Sequence, residues 1–325
     1  MRGSPLPRVV VTDATFPRLD RERAVVARYG AQLEEARCAC EDDVVAAATG
    51  TDVLLVQFAK VTRNAIEKLS PNAAIVRYGI GLDNVDLMAA RDLGIKVAYV
   101  PDYATGEVAD HTAALILTAL RKIIPLDQSV RAGVWDPVDT AKPVKGFSES
   151  IVGFVGFGRI GREVHGRLRA FGFSSIVADP YADSEALAAL NARTVSLDEL
   201  FSTADVVTLH CPLMPSTRHI INAQRLAQMK STAIVVNTAR GALIDPVALE
   251  EALNARRIAG AALDVFEQEP LPADSGLRRC ANVILTPHAA WYSSRSAEQL
   301  QALAADEVDR HLSGRPPRCP APIPT

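Results

Sequence analysis

The sequence predicts an α/β protein made of two doubly wound parallel-sheet domains. Three observations carry that expectation. Short β-prone apolar runs alternate with short helical stretches along most of the chain, which is the pattern of a parallel sheet with helices on both faces. The length, 325 residues, is long for one domain and natural for two. The alternation also breaks once, at Pro101–Asp102–Tyr103–Ala104–Thr105–Gly106, and resumes at Ile151.

Taken in order, Arg8–Thr12 reads as a buried strand and Asp20–Gly30 as a helix stopped by its glycine. Leu33–Ala36 reads as a strand, Glu41–Ala48 as a helix, Val53–Val56 as a strand and Asn64–Leu69 as a short helix. The next strand, Ala73–Tyr78, runs into Gly79–Ile80–Gly81–Leu82–Asp83–Asn84, where Asn84 or Asp83 is placed to cap a helix reaching Leu93. Lys96–Val100 closes the series. Ligands on parallel sheets bind at the carboxyl ends of strands, so the loop from Arg77 to Gly81 is a candidate substrate contact. Glu107–Lys122 forms a long helix, too apolar all round for a surface position, that suits burial between domains or subunits. Arg131–Phe147 reads as irregular. The second series has strands at the apolar run from Ile151 into Gly156, Ile176–Ala178, Thr194–Val195, Asp205–His210, Ala233–Asn237, Ile258–Val265 and Val283–Thr286. A polar loop is expected beyond Cys211–Pro212, and a helix starts at Asp245–Pro246, with Pro at its first position. Ser293–Leu312 is the closing helix. The tail from Arg315, with five prolines in its last ten residues, is expected to be extended or disordered.

The run Ile151–Gly161 organises the second series. A strand leads into Gly156-x-Gly158-x-x-Gly161, and a helical stretch follows. Gly156 permits a tight turn, Gly158 lets backbone approach a pyrophosphate, and Gly161 lets the helix pack on the strand. First-turn N–H groups, including those of Arg159 and Ile160, then face an anion along the helix dipole. Three glycines alone are a weak signal. The next strand, however, ends at Asp179, eighteen residues past Gly161, where a carboxylate accepts hydrogen bonds from an adenine ribose. Asp179 would repel a 2′-phosphate, and Pro180–Tyr181 bring no arginine, so the expected cofactor is NAD and not NADP.

Bulk composition narrows the alternatives. A net charge of −3 leaves no basic footprint for nucleic acid or an anionic membrane. Cys38-x-Cys40 is not a zinc-ligand spacing, and the five cysteines form no disulfide framework, so no metal site is expected. With no signal peptide and no apolar run long enough to span a bilayer, a cytoplasmic location is expected.

In a parallel sheet the residues after successive strands gather at one edge. Here those are His210, Cys211, Pro212 and Thr217 after one strand, Thr238, Ala239 and Arg240 after the next, Asp264 and Glu269 after the third, and His288 after the last. The first six, with Asp264 and His288, are candidate cofactor contacts, Asp264 through the carboxamide. An Arg, a carboxylate and a His beside a nicotinamide point to hydride transfer at a 2-oxo or 2-hydroxy acid. His288 as imidazolium supplies the proton, Glu269 favours and orients the charged ring, and Arg240 grips a carboxylate and polarises the adjacent carbonyl.

Several stretches together are similar to the D-isomer-specific 2-hydroxyacid dehydrogenases: Arg77–Asp86, Gly153–Gly161, Val236–Gly241, Gly260–Glu267 and Thr286–His288. The resemblance implies a larger Rossmann-type NAD-binding domain, residues 101–291, inserted into a flavodoxin-like substrate domain, residues 1–100 and 292–325. It implies Arg240, Glu269 and His288 as the catalytic trio, backbone N–H groups of Tyr78, Gly79, Ile80 and Gly81 at the substrate carboxylate, and a homodimer formed through the helix from Glu107. His288–Ala289–Ala290–Trp291–Tyr292–Ser293 resembles the branch that contains the C-terminal-binding proteins, NAD(H)-binding corepressors. That likeness implies Trp291 as a pocket wall and Arg77 at the substrate carboxylate. Two readings follow. One is an NAD-dependent dehydrogenase of a small 2-hydroxy acid, with Arg77 and Arg240 leaving room for a further anionic group on it. The other is an NAD(H)-sensing protein-binding module with weak or no turnover.

Overall fold

The computed structural model describes residues 6–322. They divide into two compact units, one running to Tyr103 and resuming at Ser293, the other Ala104–Tyr292.

The first unit holds β1 (Val9–Val11), α1 (Asp20–Ala27), β2 (Leu33–Glu35), α2 (Glu41–Ala48), β3 (Val53–Val56), α3 (Arg63–Ile66), β4 (Ala74–Arg77), α4 (Leu87–Asp92) and β5 (Lys96–Tyr99). All pairings are parallel, in the order β2-β1-β3-β4-β5, which is the flavodoxin-like order. β3 is apolar throughout because both its faces are covered, and all four of its residues are buried. Val10, Leu54, Val56, Ile75 and Val97 meet Val44, Ala65, Ile66 and Ala89 in one of its apolar clusters. The cap of α4 differs from expectation. Asp86 caps it, accepting from the Ala89 N–H at 2.9 Å. Asn84 is unsuited because its amide is turned to the Ala59 carbonyl at 3.0 Å.

The second unit holds α5 (Thr105–Leu120), α6 (Ile123–Arg131), α7 (Pro137–Ala141), β6 (Ile151–Val155), α8 (Arg159–Arg169), β7 (Ser174–Ala178), α9 (Ser184–Ala189), β8 (Ala192–Thr194), α10 (Leu197–Thr203), β9 (Val206–Leu209), α11 (Ala223–Gln228), β10 (Ile234–Asn237), α12 (Pro246–Asn254), β11 (Gly260–Leu263) and β12 (Val283–Leu285). Its parallel sheet runs β12-β11-β10-β9-β6-β7-β8, the dinucleotide-binding order with one strand added, and the order reverses between β6 and β9. In register Val155 pairs with Ala178 and Leu209, Leu209 with Asn237, Asn237 with Leu263, and Leu263 with Leu285. These strands therefore end level, and the residue after each emerges at one edge.

The stretch from Arg131 to Phe147 is not irregular throughout, as the sequence suggested. Asp136 caps α7, with Pro137 at its first position, and a 3₁₀ turn spans Phe147–Glu149. The polar loop after Pro212 contains α11, capped by Asn222. Both segments are too short for apolar periodicity to reveal them. Among the described residues no helix is long and apolar enough to cross a membrane, and no cluster of His, Cys, Asp and Glu suits a metal ion.

The closing helix α13 (Ser294–Leu312) packs on α1 of the first unit. The tail after it is extended, as expected, but docked and not disordered as far as Pro322; its last three residues lie outside the described ones. Ala321 N–H bonds the Val97 carbonyl at 2.8 Å, and Tyr99 N–H bonds the Cys319 carbonyl at 3.1 Å, so the tail pairs antiparallel with β5. Glu307, 2% exposed, accepts the N–H groups of Arg318 and Cys319 at 3.0 Å each. Proline suits an edge partner that needs few N–H donors.

Candidate active site

The glycine turn lies between β6 and α8. Gly156 has φ +88°, and a Cβ there would stand 2.7 Å from the Cys211 nitrogen, so two backbone segments meet with no room for a side chain. A Cβ at Gly161 would stand 3.0 Å from the Gly156 carbonyl oxygen, which is the close approach of helix to turn. At Gly158 a Cβ would meet nothing within 4 Å. That opening lies over the first turn of α8, where no side chain caps the helix. Uncapped N–H groups beside an open glycine fit a pyrophosphate. Arg159 is exposed there, and Ile160 is half-buried. Asp179 stands next to this turn, accepting from Phe157 N–H at 2.7 Å and Tyr181 N–H at 2.8 Å. A carboxylate has about four acceptor positions, so two remain for ribose hydroxyls. Replacing Asp179 by alanine should weaken NADH binding by about 1.5–3 kcal/mol, the worth of hydrogen bonds to a charged group, and raise relative affinity for NADPH. Fluorescence titration with both nucleotides checks this, and an unchanged ratio would refute the ribose assignment.

Other cofactor candidates follow β9 and β10. The His210 ring stacks on Phe154 at 6.0 Å and bonds Thr208 Oγ1 at 3.0 Å. Burial pushes its pKa down to about 3, so the half-buried ring stands neutral at this edge. The Cys211 thiol is pushed up to about 11 by burial and stays protonated. Thr217 closes the Pro212–Thr217 loop, its hydroxyl donating to the Pro212 carbonyl at 2.7 Å. The Thr238 hydroxyl pairs with Thr112 on α5 at 2.7 Å.

The three reactive side chains come from adjacent strands. Asn237 is fully buried at the end of β10 and folds the next loop back on itself, accepting from Ala239 N–H at 3.0 Å and donating to the Arg240 carbonyl at 2.8 Å. Arg240 Nη1 donates to the Ala239 carbonyl at 2.6 Å. His288 Nδ1 lies 2.7 Å from Glu269 Oε2, and the other oxygen, Oε1, accepts from Phe266 N–H at 2.8 Å. Burial raises the Glu269 pKa, but the His288 hydrogen bond and charge, the Phe266 N–H and the Arg240 guanidinium outweigh it, and the net shift is downward. All three groups thus share one electrostatic neighbourhood. With Nδ1 turned to a carboxylate, the ring presents Nε2 on the side away from Glu269.

Sequence reasoning missed several supports here. Gly241 seats the Arg240 loop directly on the Phe266–Glu267 backbone, where a Cβ would fall 1.8 Å from the Phe266 carbonyl carbon. Glu267, two residues before Glu269, is held by Arg218 and by His219 Nε2 at 3.3 Å. The glycine after Arg240, the acid at Glu267 and the basic pair Arg218–His219 were each visible in the sequence, but their meeting was not.

Asp264 corrects an expectation. Its side chain was expected to meet the cofactor carboxamide, yet the residue is 0% exposed. Its carboxylate accepts from Thr286 Oγ1 at 2.5 Å and from the N–H groups of Ala289 and Ala290 at 2.9 Å each. It holds the His288 loop instead. Trp291 follows that loop half-buried, edge-to-face with Tyr292 at 5.6 Å.

In the first unit, Tyr78 corrects another expectation. Its side chain is 1% exposed with its hydroxyl 3.0 Å from the buried Glu22 carboxylate, and its N–H bonds the Val56 carbonyl at 2.8 Å. Gly79 N–H is likewise engaged by the Arg77 carbonyl at 3.0 Å. Neither N–H is available to a substrate. Those of Ile80 and Gly81 have no hydrogen-bond partner among the described residues. The Arg77 guanidinium lies over Gly79 and donates to the Tyr78 carbonyl at 2.6 Å.

Comparison with known proteins agrees with this layout. The sequence profile of the D-isomer specific 2-hydroxyacid dehydrogenase, NAD binding domain, matches residues 113–290. A D-3-phosphoglycerate dehydrogenase of Methanocaldococcus jannaschii is 38% identical over 94% of this chain, and one of Synechocystis is 34% identical over 99%. The chain spans 58% and 57% of the lengths of these two relatives. Aquifex aeolicus D-lactate dehydrogenase, solved with NAD and lactic acid, superposes with a TM-score of 0.85 at 26% identity, covering 94% of this chain and 96% of that one. The chain belongs to the D-isomer-specific 2-hydroxyacid dehydrogenases, and its second unit carries the family's NAD-binding domain.

Proposed function

We propose that the protein is an NAD-dependent oxidoreductase interconverting a small 2-oxo acid and its D-2-hydroxy acid. The observation that carries this reading is the 2.7 Å His288–Glu269 pair, in the field of Arg240, at the sheet edge that also carries the glycine turn. That turn would hold the pyrophosphate of NAD, whose nicotinamide would supply the hydride. Arg240 binds the acid's carboxylate and polarises its carbonyl, and His288 Nε2 delivers the proton to the carbonyl oxygen. In the oxidative direction the same nitrogen takes the hydroxyl proton. Trp291 bounds the substrate's side chain. The names of the relatives place pyruvate and 3-phosphohydroxypyruvate beside glyoxylate, hydroxypyruvate and bulkier 2-oxo acids in the panel to be tested. NADH oxidation on at least one of them is expected. Tight NADH binding without turnover on any would replace this reading with that of an NADH-sensing binding module.

We also propose a homodimer, seated on the arm after α5 more than on α5 itself. Seven residues of α5 are buried, and the helix packs on α8 of its own unit. The unpartnered apolar surface comes next, at Ile123, Val130, Trp135 and Val138, all at least half exposed. A patch of this kind marks an association surface. Light scattering should give twice the chain mass, and Trp135→Asp with Val138→Asp should halve it; a monomeric wild type would refute the proposal.

A further inference from the structure

His288 sits in a backbone conformation that needs external support. Its φ is +53°, the left-handed region, where a side chain crowds the backbone of any non-glycine residue. Such a residue persists where its surroundings over-determine it. Here the support is Asp264. Its backbone carbonyl accepts the His288 N–H at 2.7 Å, and its carboxylate takes the next two N–H groups, of Ala289 and Ala290. The carboxylate is aimed by Thr286, whose hydroxyl reaches Oδ1 at 2.5 Å.

The proton inventory fixes the next partner. A hydroxyl has one hydrogen, and an ionised carboxylate only accepts, so the Thr286 hydrogen points to Asp264. Its contact with His111 Nε2, at 3.1 Å, must therefore be one in which His111 donates. His111 Nε2 is also 3.7 Å from Asp264 Oδ1. It belongs to α5, outside the strand ends that carry the reactive groups, and the reaction itself gives it no role. Holding a lone pair of the Thr286 oxygen, it leaves the hydroxyl hydrogen only the carboxylate to bond.

We propose that His111, through Thr286 and Asp264, is a positioning residue that holds the His288 loop and so places Nε2 for proton transfer. The chain of contacts is His111 to Thr286 to Asp264 to the 288–290 backbone, and it needs only a neutral donor at His111. Glutamine, whose amide N–H₂ can stand where Nε2 stands, should serve; leucine should not. Thr286→Val keeps the shape and removes the hydroxyl, while Thr286→Ser keeps the hydroxyl.

The proposal rests on His288 as proton donor, so its test has two readouts on the full chain. With a 2-oxo acid that the wild type reduces, His111→Leu and Thr286→Val should lower kcat by about 10–100-fold, the scale of a small misplacement of a reacting group. NADH affinity should stay within about twofold and the melting temperature should be unchanged, while His111→Gln and Thr286→Ser should return kcat to within about threefold of wild type. Independently of turnover, long-range ¹H–¹⁵N spectra should show the His288 ring signals, assigned by their loss in His288→Asn, displaced in the leucine and valine variants and restored in the other two. Wild-type kcat with unmoved His288 signals in both disruptive variants would overturn the proposal. If the wild type reduces no acid, the functional reading fails, and the ring signals still decide the positioning claim.

Discussion

Replacing His288 by asparagine should lower kcat/KM for 2-oxo acid reduction by about 10²–10⁴-fold, the usual worth of a positioned general acid. NADH binding should survive, because the glycine turn and Asp179 make no use of the imidazole. The same substitution should change Glu269. Burial is the largest influence on that carboxyl and raises it, while the His288 hydrogen bond and charge are the main opposing effects. Without the imidazole, the Glu269 pKa should rise, and ¹³C-detected titration of its carboxyl reads this directly. In the wild type the folded-state value is depressed. The pair's contribution is therefore complete above the ordinary glutamate value of about 4.3 and is lost only as pH falls through the lower folded value. Reductase activity should persist to that lower pH, and Glu269→Gln should be slower throughout and lack the acid limb. A His288→Asn enzyme with wild-type kcat/KM would remove the proton-donor assignment.

Much of this site is legible because two regularities act together. A parallel sheet brings the residues after its strands to one edge, and strand ends can be read from apolar runs such as Val206–Leu209 and Ile234–Asn237. Arg240, Glu269 and His288 can thus be grouped from sequence alone. Which way a polar group points is not written in such runs. Asp264 ends a strand like the others, but its carboxylate turns inward to the 288–290 backbone, and its acceptor positions are filled by groups up to 26 residues away. Tyr78 follows β4 into what looked like a binding loop, yet its ring lies in the core because Glu22 on α1 offers its hydroxyl a buried partner. His210 reads as a polar residue at a ligand edge, and nothing local shows that its ring is half-buried and stacked on Phe154. The tail's prolines argued against regular structure, and only the free edge of β5 and the buried Glu307 explain why residues up to 322 are docked. In each case the deciding partner is remote in sequence, and local pattern carries no trace of it.

Gly241→Ala should be the most damaging small substitution in the second unit. The added methyl would stand 1.8 Å from the Phe266 carbonyl carbon, 2.1 Å from its oxygen and 2.3 Å from the Glu267 nitrogen. These are backbone atoms that no rotamer change moves, so the two loops must separate. Phe266 N–H anchors Glu269 at 2.8 Å, and Glu269 orients His288, while the residue preceding the methyl is Arg240. One displacement therefore disturbs all three reactive groups. A loss of stability of about 3 kcal/mol is expected, at the upper end of overpacking effects, together with a fall in kcat/KM of about 10²-fold or more from misplaced groups. Gly158→Ala supplies the contrast. Its methyl meets nothing within 4 Å in the protein and enters the space assigned to the pyrophosphate. That variant should melt as the wild type does and bind NADH more weakly. The two glycines thus separate loop packing from cofactor approach. A Gly241→Ala protein with wild-type melting and turnover would show that the Arg240 loop is not held against the Glu269 loop.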